Sequence, residues 1–588
     1  MRIAVLSPRT ALTGGLPMPV AELLGLSELN RTYERAISFN DGSPFPYTAL
    51  RALDVGIDVD DEEVAHIPAS GPTIIVANHP FGALDGLIAG ALALRRRSDV
   101  RVLANEWLYR VPEIQPWLLG VDVFGDPKRR HTNASSLKLA LRHLRSGGLL
   151  IMFPAGIVSH WQPEQLAVAD PPWNRIAASL ARMSNAMVVP MFFDGSNSWL
   201  FHAAGLIHSR LRTLLLPREL LQKRASRVRV RIGRCVCPKA MSALPNDDAT
   251  TGWLRLRTYD LGQALRPTPI AAPLPSVPLI EAVPPASITE ELASLDSSAV
   301  LVNQERYWVY LADSRDIPRS LTEIGRLRER TFREVGEGTG APLDLDRFDK
   351  QYQHLILFDH RNHCIVGSYR IGFCDQLTRQ AGPSGLYTNT LFYFSPGFVR
   401  TLGNTLELGR SFVRSEYQKS PLALALLWRG IGRVLVQNPR YEQLMGPVSI
   451  SADYNDVSRR LMVSFLESLD NEKRRAKSVR ARNRPRQRLA ASEQAQLLTA
   501  GFGVRQLGRL IADADAKHQG IPVLLERYLE LGGRVLSLNV DNAFGHCVDA
   551  LVVVNVPRVP ELMLKRFMGP DGLRSYLGAR TQGFALTG

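Results

Sequence analysis

A histidine and an aspartate share one short segment of the sequence, Asn78-His79-Pro80-Phe81-Gly82-Ala83-Leu84-Asp85-Gly86. In a loop, such a pair can hydrogen-bond. The carboxylate then fixes the imidazole tautomer and stabilises its cation, while the other ring nitrogen takes a proton from a substrate hydroxyl. No serine or cysteine nucleophile is needed, because the substrate's own oxygen attacks. Further along, Phe153-Pro154-Ala155-Gly156-Ile157-Val158-Ser159 is a Pro/Gly turn able to bring backbone N–H groups to a ligand. A second set follows in the C-terminal half: Arg328, Phe332, Asp349, Arg370, Glu407 and Arg410. Glu407 can accept a proton from an amine, directly or through water, while Arg370 or Arg410 holds a carboxylate or phosphate. Taken singly, the His–Asp pair also fits a structural hydrogen bond, and each acid fits a surface ion pair.

The elements around the first set read as alternating strands and helices. Thr73–Ala77, Leu149–Phe153 and Met187–Phe193 are apolar runs of strand length, with helical stretches at 86–94 and 134–145. That alternation predicts an α/β layer fold, whose ligands gather at the loops after the strand ends. Both motifs sit there. Around the second set, a helix is expected over 321–333 and a β-hairpin from 355–359 and 365–371. A strand over 405–414 places Glu407 on the face opposite Arg410, unless Gly409 introduces a bulge. A helix starting at Pro421 runs through Val436.

Between Pro267 and Pro285 stand seven prolines and one charged residue, Glu281. Proline removes donors and favours extended geometry, so a semi-rigid linker over 266–289 is expected between domains 1–265 and 290–588. The 588 residues, 45% hydrophobic and 22% charged, exclude a disordered or collagen-like chain. Five cysteines suit a reducing compartment, and Cys235-Val-Cys237 reads as structural rather than as half a metal site. No run of about 18 apolar residues is present, and the N-terminus lacks a signal-type apolar region. With 71 Lys+Arg against 56 Asp+Glu, the net charge of +15 points to an anionic partner. Nine basic residues and no acid lie between Lys473 and Arg488, with no interleaved aromatic. A solvated loop, an anionic membrane or an acidic carrier protein fits that run better than nucleic acid. Lys128, Arg129 and Arg130 form a smaller basic group that suits a headgroup, a carrier phosphate or plain solvent.

Asn-His-Pro…Asp, Phe-Pro-Ala-Gly and the later Val189-Pro190 resemble the glycerolipid and lysophospholipid acyltransferases over roughly 60–235. The resemblance implies His79 as general base, Asp85 as its orienting partner and a thioester acyl donor. It also implies an acceptor surface drawn from Asn78, Phe153, Pro154, Gly156 and Ser159. Two departures stand out: five residues separate His79 from Asp85 where the family has four, and the family's Glu is Ala155. Gly82 is expected to absorb the extra residue. The loss of the Glu, and of the polar pair at Ile157-Val158, argues against a phosphate-bearing acceptor.

Arg328-x3-Phe332, Asp349-x2-Tyr352, Gly367-x2-Arg370 and Glu407-x2-Arg410 resemble the acyl-homoserine-lactone synthase branch of the GNAT-like N-acyltransferases. Glu407–Gly432, Ile521–Leu529 and Leu564–Gly569 look more like the ornithine N-acyltransferases, over about 295–570. Gly430-Ile431-Gly432 is a weak match to a pyrophosphate loop, with helix packing as the alternative. The expected architecture is a glycerolipid-acyltransferase-like α/β domain followed by a GNAT-like mixed α/β domain. The arrangement resembles the bifunctional ornithine lipid synthases of bacteria. It implies N-acylation of ornithine by a 3-hydroxyacyl group from acyl carrier protein (or coenzyme A), then O-acylation of the lyso-ornithine lipid. Glu407 would serve the first step with Arg328, Phe332, Asp349, Arg370 and Arg410 at the substrate, and His79 the second. No permanently bound cofactor or metal is implied. The expected location is cytoplasmic, peripheral on the inner face of the bacterial membrane. Alternatives are glycine, lysine or glutamine as acceptor, a signal-molecule synthase, and a basic nucleic-acid-binding protein.

Overall fold

The computed structural model describes residues 25–39, 41–121, 130–162, 167–263, 277–469, 478–489, 491–498, 502–515, 517 and 520–585. Lys128 and Arg129, the side chain of Arg130, the proline run up to residue 276 and the basic residues 473–477 lie outside these. The chain forms two compact units: residues 1–270 with 490–514, and 271–489 with 515–588.

The first unit holds a seven-stranded sheet of β1 (Gly56–Asp58), β2 (Thr73–Ala77), β3 (Val100–Asn105), β4 (Leu118–Val121), β5 (Leu149–Met152), β8 (Met187–Phe193) and β9 (Arg227–Ile232). Between β5 and β8 a small hairpin forms from β6 (His160–Gln162) and β7 (Ala167–Ala169). The sheet order is β1-β9-β8-β2-β5-β3-β4, and only the β8–β9 pair is antiparallel among the described residues. Strand β2 lies between β8 and β5, and all five of its residues are buried. A parallel strand covered on both faces needs such an unbroken apolar run. The sequence supplies it as Thr-Ile-Ile-Val-Ala. Helices α1 (Ala83–Leu94), α2 (Trp199–Ile207), α3 (Ser209–Gln222) and α4 (Asp247–Gln263) complete the parts that matter for the site. The loops after β8, β2 and β5 leave the sheet side by side.

The segment 490–514, expected in the C-terminal domain, belongs to this first unit. The helix Val504–Ala514 buries Leu507, Leu510 and Ile511. Asp513 pairs with the nearly buried Arg257 of α4, and Glu493 stands 3.7 Å from Arg255. Two arginines on a buried helix demand carboxylates. This distant stretch supplies them.

In the second unit, Val277 and Ile280 donate backbone hydrogen bonds to Gly340 and Pro342. The helix Pro285–Ala293 then begins inside the span expected as linker. Proline is favourable in a first helical turn, and burial of Ile288 and Leu292 fixes the helix. The main sheet runs β10-β11-β12-β13-β15-β16-β19-β18, from β10 (Val300–Gln304), β11 (Tyr307–Asp313), β12 (Gln353–Asp359), β13 (Cys364–Phe373), β15 (Thr405–Val413), β16 (Gln443–Ile450), β18 (Arg534–Asp541) and β19 (Cys547–Asn555). Apart from it, β14 (Phe392–Phe394) pairs with β17 (Val479–Ala481). The helices used below are α5 (Pro318–Glu334) and α6 (Leu422–Gln437), which lie close to the expected spans.

Strands β15 and β16, joined over α6, pair in parallel for three residues, Thr405 to Glu407. A Cβ on Gly446 would stand 2.2 Å from the Leu408 carbonyl oxygen. Gly446→Ala is therefore expected to cost about 1–3 kcal/mol by overpacking, read as a lower urea midpoint at unchanged slope. Gly430 and Gly432 lie inside α6. Side chains there would meet Val309 at 2.7 Å and the Phe567 carbonyl at 2.6 Å, so this pair serves close packing and is no phosphate loop.

Candidate active sites

In the first unit, His79 Nδ1 lies 2.9 Å from Asp85 Oδ2. The same oxygen accepts the amides of Phe81 and Gly82 at 2.9 and 3.0 Å. Asp85 is the third residue of α1, so its carboxylate caps the helix while it orients the imidazole. The extra residue in the His–Asp spacing is taken up by Gly82, whose φ of 83° a side chain would resist. Asp85 is fully buried. Burial pushes its carboxyl up, opposed by His79 and the two amides. The His79 ring stacks on Phe153 with centroids 4.3 Å apart and stays partly exposed. A hydroxyl reaching the second nitrogen of this imidazole would find a base held in one tautomer.

Several expected contact residues instead frame these loops. Asn78 is buried, and its amide exchanges two hydrogen bonds with the Phe193 backbone, at 3.0 and 2.8 Å, tying the His79 loop to β8. The Gly156 amide donates to Phe153 and the Ser159 amide to the His79 carbonyl, so neither is left for a ligand. Pro154 accepts two hydrogen bonds from Asn174. The Ser159 hydroxyl donates to Asp170. Nothing in the sequence marked Asp170. Its buried carboxylate also accepts the His79 amide at 3.1 Å and the Trp173 indole at 2.8 Å, while its own amide donates to the Tyr259 hydroxyl. One acid thus holds both loops; its single signal is the Pro-Pro-Trp that follows it.

In the second unit the structure gathers Arg328, Asp349, Arg370, Glu407 and Arg410. Strand β15 does bulge, but at Arg410 rather than Gly409. Ser368 pairs with Phe412 and Arg370 with Gly409, leaving Arg410 and Ser411 opposite Tyr369. Arg410 has φ 48°, in the left-handed region. The bulge turns Arg410 to the side of Glu407 and Arg370, and both guanidiniums lie over the Tyr387 ring, at 5.0 and 4.9 Å. Arg328 donates to Asp349 at 2.7 Å, Arg370 to Asp346 at 2.7 Å, and Arg410 stands 3.5 Å from Asp344. Burial works against the Asp349 carboxyl, yet Arg328 and Arg370 hold it well below the usual range. Both Arg328 and Arg370 are fully buried, and each keeps Nε and Nη2 without a partner among the described residues. Glu407 is buried, accepting the Tyr352 hydroxyl and the Thr388 amide, the latter at 2.6 Å. Burial pushes its carboxyl up, which suits a group that takes a proton from an amine. Phe332 packs edge-on against Phe544, on which Arg410 rests at 4.1 Å.

Beyond Arg410 lie carboxylates that sequence reasoning passed over. Asp549 is pushed up to about 7 by burial and by Asp541, and Glu337 to about 8 by burial and by Asp549 and Asp453. The folded state therefore holds protons that the unfolded chain releases near pH ~4. This contribution is full below that value and is lost as pH rises through about 7 and about 8. The melting temperature is expected to fall across that window, and Asp549→Asn to flatten the fall by about 2–4 °C in a thermal-melt pH series.

Residues 40–267 match the family model described as acyltransferase, and residues 327–429 that of the acetyltransferase (GNAT) domain. The chain thus carries an acyltransferase-like N-terminal domain and a GNAT-like C-terminal domain. Among curated proteins it is similar to the glycine N(alpha)-acyltransferase of Bacteroides thetaiotaomicron, 35% identical over 29% of this chain and 55% of that protein. It is also similar to the lyso-glycine lipid O-acyltransferase of Phocaeicola vulgatus, 27% identical over 33% of this chain and 68% of that protein. The chain spans about half the length of the glycine acyltransferases it matches. Among solved structures, a 1-acyl-sn-glycerophosphate acyltransferase from Thermotoga maritima is a distant likeness, with 16% identity and a TM-score of 0.26 over 43% of this chain and 86% of that one. No helix among the described residues is long and apolar enough to cross a membrane.

Proposed function

We propose that this chain makes an acylated amino-acid lipid in two steps. The second unit forms an amide between ornithine and a 3-hydroxyacyl group, and the first esterifies the 3-hydroxyl of the resulting lyso-ornithine lipid. In the first step the α-amine attacks the thioester carbonyl, the amine proton passes to Glu407 directly or through water, and the leaving thiolate then takes it up to depart as the thiol. In the second, the hydroxyl oxygen attacks another thioester while His79 takes its proton and returns it to the leaving thiolate.

The observation that carries the reading is the presence in one chain of an oriented His79–Asp85 pair and a buried carboxyl beside three arginines. The first suits a hydroxyl acceptor. The second suits an amine that bears a carboxylate. Asp541 and Asp549, lying near Arg410, favour an acceptor with a second ammonium, hence ornithine over glycine. Exposed Arg480, Arg482, Arg484 and Arg486 support an acidic carrier protein as donor or an anionic bilayer as the working surface. Arg480 and Arg482 sit over Tyr393, an aromatic partner their own stretch lacks.

A second reading, glycine as acceptor, is favoured by the named activities of the relatives. The full chain should be given a 3-hydroxyacyl carrier and labelled ornithine, glycine, lysine or glutamine in turn. Label entering chloroform from ornithine alone supports the first reading, and from glycine alone the second. No extractable label from any of them would overturn both.

A further inference from the structure

Three polar side chains of the first unit lie near one another, two with unused hydrogen-bonding capacity and the third a cation without a carboxylate among the described residues. Asn197, on the loop after β8, is 4% exposed, and both its amide nitrogen and its oxygen are buried without a partner. On α2, His202 lies near the Asn197 backbone, yet neither ring nitrogen reaches hydrogen-bonding geometry. On α3, Arg212 is 8% exposed, and no carboxylate pairs with it among the described residues. Burying one such group is costly, and an unpaired guanidinium most of all.

The cluster borders the His79 loop. Asn197 comes four residues after Phe193, whose backbone is clamped by Asn78. Arg212 is one helical turn before Leu216 on the same face of α3. Leu216 stands 3.4 Å from where a Cβ on Gly82 would be, and so does Val158. His160, next to Ser159, feels the charge of Arg212. Gly205 of α2 leaves the room: a Cβ there would stand 3.2 Å from Arg212 Cδ. Burial, with Arg212 adding to it, holds His160 and His202 below the ordinary histidine range, which leaves the local positive charge to Arg212 and to Lys223, itself bonded to the Ser196 carbonyl at 2.8 Å. Glu219, whose charge reaches His202, is committed to the amide and hydroxyl of Ser198 and has Lys223 one turn on.

We propose that Arg212, Asn197 and His202 form an anion site beside the His79 base that takes the free carboxylate of the O-acylation acceptor. The guanidinium supplies charge, and the Asn197 amide and the His202 N–H supply direction. An N-acyl amino acid presents one carboxylate at a fixed distance from its acyl chain, which separates it from a glycerol phosphate. The inference rests on the reading that the first unit acylates a lyso-aminolipid.

The test uses N-palmitoylglycine carrying a diazirine in its acyl chain, its methyl ester, and the full chain, with cross-links mapped to peptides. At sub-saturating probe, the acid is expected to label peptides of the first unit about 10-fold more than the ester. Arg212→Met should label equally with both, Arg212→Lys should recover part of the preference, and Asn197→Leu should weaken the acid alone. Arg212→Met removes a buried charge that has no carboxylate partner among the described residues, so its melting temperature should match or exceed that of the parent, which separates lost binding from lost folding. Equal labelling by acid and ester in the parent, or a preference that survives in Arg212→Met, overturns the site. An Arg212-dependent preference in a protein that never forms the ester upholds the site and overturns the acceptor reading.

Discussion

Replacing His79 with alanine is expected to lower ester formation by about 10²–10⁴-fold, the range of a lost general base, while amide formation continues. Cells making His79→Ala should accumulate the monoacylated aminolipid, visible by thin-layer chromatography and mass spectrometry. The structure makes this a clean lesion. The imidazole contributes one hydrogen bond to Asp85 and a stacking contact to Phe153, whereas the loop is held by its backbone. The His79 amide stays on Asp170 and its carbonyl on the Ser159 amide, and the amides of Phe81 and Gly82 stay on Asp85. Folding should therefore survive. If the variant still makes diacylated lipid at the parent rate, esterification belongs elsewhere.

Glu407→Ala is expected to abolish both lipids in cells, because the ester step consumes the product of the amide step. In vitro the two separate: amide formation should fall about 10²–10⁴-fold, whereas purified Glu407→Ala given lyso-lipid should still esterify it. The substitution also strands the Tyr352 hydroxyl and the Thr388 amide that Glu407 accepts, so some loss of stability accompanies it. Glu407→Gln keeps the volume and serves as the control. It should approach the parent in melting temperature yet remain as inactive as the alanine variant, since a neutral amide takes no proton. Recovery of amide formation in Glu407→Gln would reduce Glu407 to a strut for Tyr352.

What could be read in the sequence follows from the range of the interactions. Strands β2, β5 and β8 announce themselves because burial on both faces demands continuous apolar runs, and His79 and Asp85 meet within one helical cap. The three-residue strand Gly56–Asp58 has no fully buried position and left no pattern. The turn of Arg410 toward Glu407 depends on a left-handed backbone at a non-glycine residue, where alternation along a strand gives the wrong face. Asp170 reaches His79 across 91 positions, a distance no local spacing rule covers. Asn197, His202 and Arg212 escaped for a related reason. Each is an ordinary polar residue in sequence, and their want of partners exists only once the surrounding chain has enclosed them.

The placement of residues 490–514 in the first unit bears on how the molecule is made. A ribosome synthesises residues 271–489 before it reaches the stretch that brings Asp513 to Arg257 and Glu493 to Arg255. Until then α4 must leave two arginines without their acids. The first unit to be started is thus completed only after most of the second has been built. A gene divided at the proline run would yield an amino-terminal product lacking part of its own interior. The first unit is therefore no removable cassette: keeping it whole means translating residues 271–489 of the second unit as well.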